Sequence, residues 1–325
     1  MSPLDVALQN LLSPMVLFFV LGVLAATARS DLSVPEAVAK LLALYLLMSI
    51  GFRGGAEIAH HGVGGKLLAS IAAGVALSFL MPFLAFALLR LTTRLSTIDA
   101  AAVAAHYGSI SAVTFIAVSG ILGELGIPFE GYLVAVAAAM ETPAILSALL
   151  LARRGSGTAA SGGSPALLRE IALNGSIVML LGAFCIGIAT GSRGMSMLKP
   201  FLVDPFAGFL CLFLLDMGLV AGRGLKQGLR HLSPALCVFA IVMPLLGATL
   251  AALLSVPIGL SAGGTAVLMT LAASASYIAV PAALRLALPE ANPAISLTLS
   301  LGMTFPFNLV VGIPLYIAAA SRIAA

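Results

Sequence analysis

The stretch Ala101–Gly120 reads AAVAAHYGSISAVTFIAVSG. An α-helix rises 1.5 Å per residue, so twenty residues reach about 30 Å, the thickness of a bilayer's hydrocarbon core. The segment is apolar enough to lie there, yet its middle carries His106, Tyr107, Gly108, Ser109, Ser111 and Thr114. Irregular backbone is tolerated at membrane depth only where protein or a water-filled cavity satisfies it. The pattern predicts a span that breaks near Gly108 and uses the break.

The surrounding sequence fits that solvent. The chain has 325 residues, 61% of them hydrophobic and only 9% charged. Its mean hydropathy is +1.16. Apolar runs of about 20 residues separated by short polar breaks predict an all-α polytopic membrane protein. A barrel is excluded because these runs do not alternate apolar and polar. Ten transmembrane spans are expected: 11–28, 34–51, 66–91, 98–121, 129–152, 166–190, 198–221, 233–256, 262–287 and 294–320. The first run has no basic flank before it and no small-residue cleavage site after it, so it reads as a span rather than a signal peptide. Cys185, Cys211 and Cys237 fall inside apolar runs and suggest neither a disulfide nor a metal site. No basic cluster interleaved with aromatics points to nucleic acid.

A Gly/Ser-rich linker, residues 153–165, separates a first unit (1–152) from a second (166–325). The halves echo each other. LLALYLLMSIGFRGG (41–55) resembles GFLCLFLLDMGLVAG (208–222), with Gly51 opposite Gly218. GSISAVTF (108–115) resembles ASASYIAV (273–280), and METPAIL (140–146) falls opposite MTFPFNL (303–309). Five spans per half is odd, so the second unit must lie upside down relative to the first. That is a 5+5 inverted repeat, the plan of many secondary transporters. Of 16 Lys and Arg, Arg53, Lys66, Arg193, Lys199 and Arg322 lie on the face of the termini and eleven on the other. The positive-inside rule puts the eleven and the linker in the cytoplasm. Both termini are then periplasmic, across an inner membrane.

Span nine carries Ser274, Ser276 and Pro281 where span four carries Ser109 and Ser111. Proline removes a backbone donor and disfavours helix in the residue before it. Two broken spans would present helix N-termini, whose free N–H groups and partial positive charge attract anions. Hydroxyls of Ser109, Ser111, Thr114, Ser274 and Ser276 would add donors. In span five, Glu141 sits about ten residues from either end, where a charge costs about 2.5–3.5 kcal/mol and calls for a partner. Sodium, a hard cation that prefers oxygen, could be held by Glu141, Thr142 and carbonyls freed by Pro143. Thr304 and Asn308 are the matching polar residues of span ten. Ser109 and His106 are three apart on one segment without an orienting third group, and no HExxH motif occurs, so an enzyme is not indicated.

Several segments resemble the sodium-dependent bicarbonate permease family: SIGFRGGAEI (49–58), GSISAVTFIA (108–117), METPAILSALL (140–150), LLDMGLVAGRGL (214–225), AASASYIAVPAALRLALPEANPA (272–294) and IPLYIA (313–318). The resemblance implies a scaffold of spans one, two, six and seven around a transport core of spans three to five and eight to ten. It implies elevator motion, a homotrimer in membrane lipid, bicarbonate as cargo and sodium as the coupling ion, with no other cofactor. Carried over by position, the anion falls on Gly108, Ser109, Ile110 and Ser111 and on Ala275 and Tyr277 with their flanking serines. Sodium falls on Ser109, Thr114, Glu141, Thr142, Thr304 and Asn308. Cyanobacterial members carry an aspartate and a Gly-Pro-Pro turn where this chain has Tyr277 and AVPA (279–282). The resemblance alone therefore does not fix sodium stoichiometry or substrate, and a small organic acid carrier, proton- or sodium-coupled, is the alternative. A PII-type regulator acts on members with a longer central insertion, and the short linker here offers it no evident seat.

Overall fold

The computed structural model describes residues 14–61, 64–141, 143–156, 173, 175–228, 232–277, 280–281, 284 and 288–323. Within them the regular elements are all helical. In chain order they are α1 (Pro14–Thr27), α2 (Glu36–His61), α3 (Gly65–Thr92), α4 (Thr97–Gly108), α5 (Ala112–Glu124), α6 (Leu133–Ala139) and α7 (Pro143–Ser156). There follow α8 (Gly175–Leu202), α9 (Phe206–Gly228), α10 (Pro234–Ile258), α11 (Ala262–Ala273) and α12, a continuous helical run over Pro293–Ile323. Seven segments among the described residues are long and apolar enough to cross a membrane, with α1 and α11 as shorter apolar helices. Exposed Leu17, Leu21 and Leu24 on α1, like Leu68 and Leu80 on α3, suit a lipid surround.

Local chemistry sets the helix ends. Ser96 opens α4 by accepting from the N–H of Asp99 (3.0 Å), and Ser261 opens α11 by accepting from the N–H of Gly264 (3.0 Å). Ser233 precedes Pro234 at the start of α10, and Asn292 precedes Pro293 at the start of α12. These are the preferred N-cap and first-turn residues. The expected sixth span ends near 190, but helix continues to Leu202 across a kink at Gly191 (φ 53°). Only glycine takes that backbone angle readily.

Two helix pairs pack closely through glycine. α1 lies on α9, and α2 lies on α8. A Cβ on Gly22 would sit 3.0 Å from the Cα of Gly218, and one on Gly187 would sit 3.1 Å from the Cα of Gly55. Membrane helices use small residues in this way because packing, not hydrophobic expulsion, drives their association. Tyr45 and Ser49 of α2 also donate to the carbonyls of Phe201 and Leu202.

The remaining helices surround α4 and α5. This pair is the innermost span, 94% buried, against 33% for the flanking α3. α3 packs on α4, α7 and α10, and α10 in turn packs on α11. Each end of the α4–α5 span is tied to the other half of the chain. Beyond α5, the Glu130 carboxylate accepts from the N–H (2.7 Å) and hydroxyl (2.9 Å) of Ser261. At the start of α4, the Asp99 carboxylate accepts from the Asn292 N–H (2.8 Å) and the Ser96 hydroxyl (2.7 Å). Both carboxylates sit at helix N-termini, where negative charge is favoured.

Candidate functional site

The α4–α5 span breaks where expected. α4 ends at Gly108, Ser109 and Ser111 are extended (ψ 150° and 113°), and α5 starts at Ala112. Ser111 caps α5 by accepting from the N–H of Thr114 (3.2 Å). The second break follows Ala273, where Ser274 is extended (ψ 162°). Beyond it, the Ser276 hydroxyl accepts from the N–H of Val280 (3.4 Å), a weak cap.

The two breaks touch. The N–H of Ser111 donates to the Ser274 hydroxyl oxygen (2.9 Å), and the N–H of Ser276 donates to the carbonyl of His106 (2.8 Å). Each interruption thus satisfies backbone or capping groups of the other, in a region where Ser109, Ser111, Ser274 and Ser276 are all no more than 3% exposed. Unsatisfied groups at that depth would be costly.

The residues named from sequence divide by what they are doing. A Cβ on Gly108 would meet the Pro82 ring and sit 2.9 Å from the Ala144 methyl; its missing side chain serves packing. Ile110 and Ala275 are buried among apolar neighbours. The Ser274 hydroxyl is committed, accepting from Ser111 and donating to the carbonyl of Leu271 (2.7 Å). Tyr277 is different. Its ring packs edge-on against Phe305, with 5.7 Å between centroids. Its buried hydroxyl faces Ser111 without reaching hydrogen-bond geometry. Nε2 of His106 is likewise buried without a partner among the described residues, while Nδ1 donates to the carbonyl of Ala102 (2.7 Å). Buried polar atoms are rarely left unmatched, so both atoms could take a further partner.

A third interruption holds the acid. α6 ends at Ala139 and α7 starts at Pro143, with Glu141 between them and 7% exposed. Thr142 lies outside the described residues. The freed carbonyl of Met140 accepts from the Ser78 hydroxyl, and that of Glu141 accepts from the Ser109 hydroxyl (3.3 Å). A carbonyl has two lone pairs, so both retain capacity for a cation beside the Glu141 carboxylate. Ser109 and Glu141 are therefore together. Thr304 and Asn308 are engaged elsewhere: Thr304 donates to the carbonyl of Ala240 (2.8 Å) and bonds the Tyr107 hydroxyl (2.6 Å). Asn308 donates to the carbonyl of Ala273 (2.8 Å) and accepts from the Tyr316 hydroxyl (3.0 Å). Thr114 is 2% exposed, one turn into α5.

Sequence reading missed Tyr107, Tyr316 and Ser78 as polar partners. A buried tyrosine hydroxyl needs a partner, and that was the available signal for the first two. It also missed that α12 widens into π-helix over Thr298–Thr304 and Asn308–Gly312. Thr304 and Asn308 stand at the borders of these segments, and π-bulges frequently mark functional sites.

A sequence profile of the family described as the Na+-dependent bicarbonate transporter superfamily matches residues 14–321 of the chain. No curated protein matches it.

Proposed function

Because the chain belongs to the Na+-dependent bicarbonate transporter superfamily, we propose that it carries bicarbonate across the membrane together with sodium, by alternating access. The observation that carries this reading is the meeting of the two breaks: the Ser111–Ser274 and Ser276–His106 hydrogen bonds join segments 163 and 170 residues apart at the most buried level of the protein. The N-terminus of α5 supplies partial positive charge there. The unpartnered hydroxyl of Tyr277 supplies a donor, and Nε2 of His106 supplies an acceptor for the single O–H of bicarbonate. Sodium is assigned to Ser109, Glu141 and the Met140 and Glu141 carbonyls, while Thr304 and Asn308 brace the two broken spans through Tyr107 and Ala273. It binds first and lowers the cost of placing an anion beside Glu141.

The packing supports an inverted repeat. The glycine contacts pair Gly22 with Gly218 and Gly187 with Gly55. Gly187 lies 165 residues after Gly22, and Gly218 lies 163 after Gly55, matching the offsets of the GSISAVTF and METPAIL echoes. These contacts favour Gly55, one turn beyond Gly51, as the counterpart of Gly218. The scaffold is then α1, α2, α8 and α9, and the moving body comprises α3–α7 and α10–α12. We further assign the protein to an inner membrane with periplasmic termini, as a homotrimer.

Uptake of labelled bicarbonate into proteoliposomes tests the reading. An inward sodium gradient should stimulate uptake, and Glu141→Gln should raise the sodium requirement more than the bicarbonate requirement. Uptake that ignores sodium and follows a pH gradient would replace this reading with a proton-coupled organic acid carrier.

A further inference from the structure

A separate cavity of about 310 Å³ lies between α2 and the loop joining α5 to α6. Its size falls in the range of small-molecule sites. Its polar groups are few. Arg53 of α2 is the one charged residue in its wall among the described residues. Ser119 of α5 contributes a buried hydroxyl with no partner among the described residues. The rest is mostly apolar, including Leu122, Ile127, Phe129 and Val134. Gly54 makes the close contact that forms the floor, since a Cβ there would lie 2.6 Å from the carbonyl oxygen of Gly131.

The cavity is not the central crossing. Ser119 stands eight residues along α5 from Ser111, about 12 Å at helical rise. Leu46, Leu47, Phe115 and Ile116, each at most 1% exposed, fill the α2 and α5 faces on the way. Its wall at Gly126–Gly131 is irregular backbone, which requires water or protein beside it, so we take its mouth to face water. An occupant therefore comes from the aqueous side.

We propose that this cavity is a second anion site, for a monocarboxylate carrying a small apolar body. A guanidinium has five N–H donors in a planar fork, more than one partner can use, and grips a carboxylate through two parallel hydrogen bonds. The Ser119 hydroxyl donates a third, and the apolar walls receive the hydrocarbon. Bicarbonate, with no apolar body, is a poor occupant. A ligand here touches both α2 and the α5–α6 loop. Under the transport mechanism proposed above, these belong to bodies that slide past each other, so an occupant slows uptake; that consequence rests on the transport reading, whereas the binding does not.

The test is binding of radiolabelled benzoate to the full-length protein in nanodiscs of zwitterionic lipid. Saturable binding is expected, displaced by hexanoate but not by benzamide, nitrate or bicarbonate. Arg53→Gln should weaken it at least tenfold. Ser119→Leu, which fills the cavity and keeps the arginine, should abolish it in protein that remains monodisperse. Ser109→Leu should stop bicarbonate uptake and leave benzoate binding intact, which separates this site from the central one. Absence of saturable binding, equal displacement by benzamide, or unchanged affinity in the Ser119→Leu protein would overturn the proposal.

Discussion

Ser274→Ala and Ser276→Ala remove the same atom from two serines that sequence reasoning treats alike, yet they should behave differently. The Ser274 hydroxyl is the acceptor for the buried N–H of Ser111 (2.9 Å). Deleting it strands that donor, at a cost of about 1–3 kcal/mol. The carbonyl of Leu271 loses the serine hydroxyl but keeps the Ser274 N–H (3.2 Å), so it adds little. A penalty of about 1–3 kcal/mol against the crossed arrangement lowers its population relative to an open one by roughly 5- to 150-fold. Ser276→Ala leaves the backbone bond to His106 in place and loses only a 3.4 Å contact from the Val280 N–H. Its expected cost is below about 1 kcal/mol. Thermal unfolding of the purified proteins, paired with bicarbonate uptake, reads the contrast. Ser274→Ala should lower both midpoint and uptake. Ser276→Ala should leave the midpoint near the parent, so that any loss of uptake reports contact with the anion. Equal midpoints for the two variants would refute the idea that the crossing is held by side-chain hydrogen bonding at Ser274.

Gly108→Ala should destabilise by about 1–3 kcal/mol, the usual range for overpacking, because its methyl would meet the Pro82 ring; a milder Pro82→Ala change in the same protein should recover part of the lost thermal midpoint. Tyr277→Phe removes a hydroxyl with no hydrogen-bond partner among the described residues, so the unfolding midpoint should hold while the KM for bicarbonate rises, and an unchanged KM would exclude that hydroxyl from the anion site. Glu130→Ala removes the acceptor for the N–H and hydroxyl of Ser261 at the start of α11, at about 1–3 kcal/mol, and should speed amide exchange at Ser261, whereas exchange indistinguishable from the parent would mean the carboxylate fastens nothing.

The break in span four was legible because glycine and hydroxyls at membrane depth have few other uses, and Ser109–Ser111 do depart from helix. The break at Glu141 was legible in part, through Pro143. What could not be read was which hydroxyls are free. Ser274 and Thr304 look in sequence like exposed donors, but in space each is already committed, one to Ser111 and Leu271, the other to Ala240 and Tyr107. Apart from Leu271, one turn back, these partners lie more than sixty residues away, and pattern along the chain carries no such distance information. The π-helical stretches of α12 were invisible for a related reason. The segments TLSLGMT and NLVVG carry no spacing that separates a π-turn from an α-turn, so the widening shows only in space.

The kinds of contact also differ between the two bodies in a way that bears on motion. Within the body proposed to move, the halves are joined by directed bonds at three levels: Glu130 to Ser261 at one end, Ser111 to Ser274 in the middle, Asp99 to Asn292 at the other end. Lys66 adds a fourth at the Glu130 end by donating to the carbonyl of Gly259 (2.7 Å). Each has its own angular and distance demands, so relative sliding of the two halves would break several at once. The scaffold pairs instead meet through glycine backbones, which fixes α1 on α9 and α2 on α8 by close packing. Where α2 faces the loop beyond α5, a cavity interrupts the packing beside the close approach of Gly54 to Gly131. A rigid, bonded body beside a rigid, packed frame, with a cavity at part of their border, is the mechanical condition for moving a binding site as a unit. Breaking one clasp should therefore uncouple the two halves of the site before it unfolds the protein: in Asp99→Ala, a cross-link between engineered cysteines on α4 and α12 should form more slowly while the scaffold pair α1–α9 cross-links at the parental rate. Equal slowing at both pairs would mean that the clasps stabilise the whole fold and do not define a moving body.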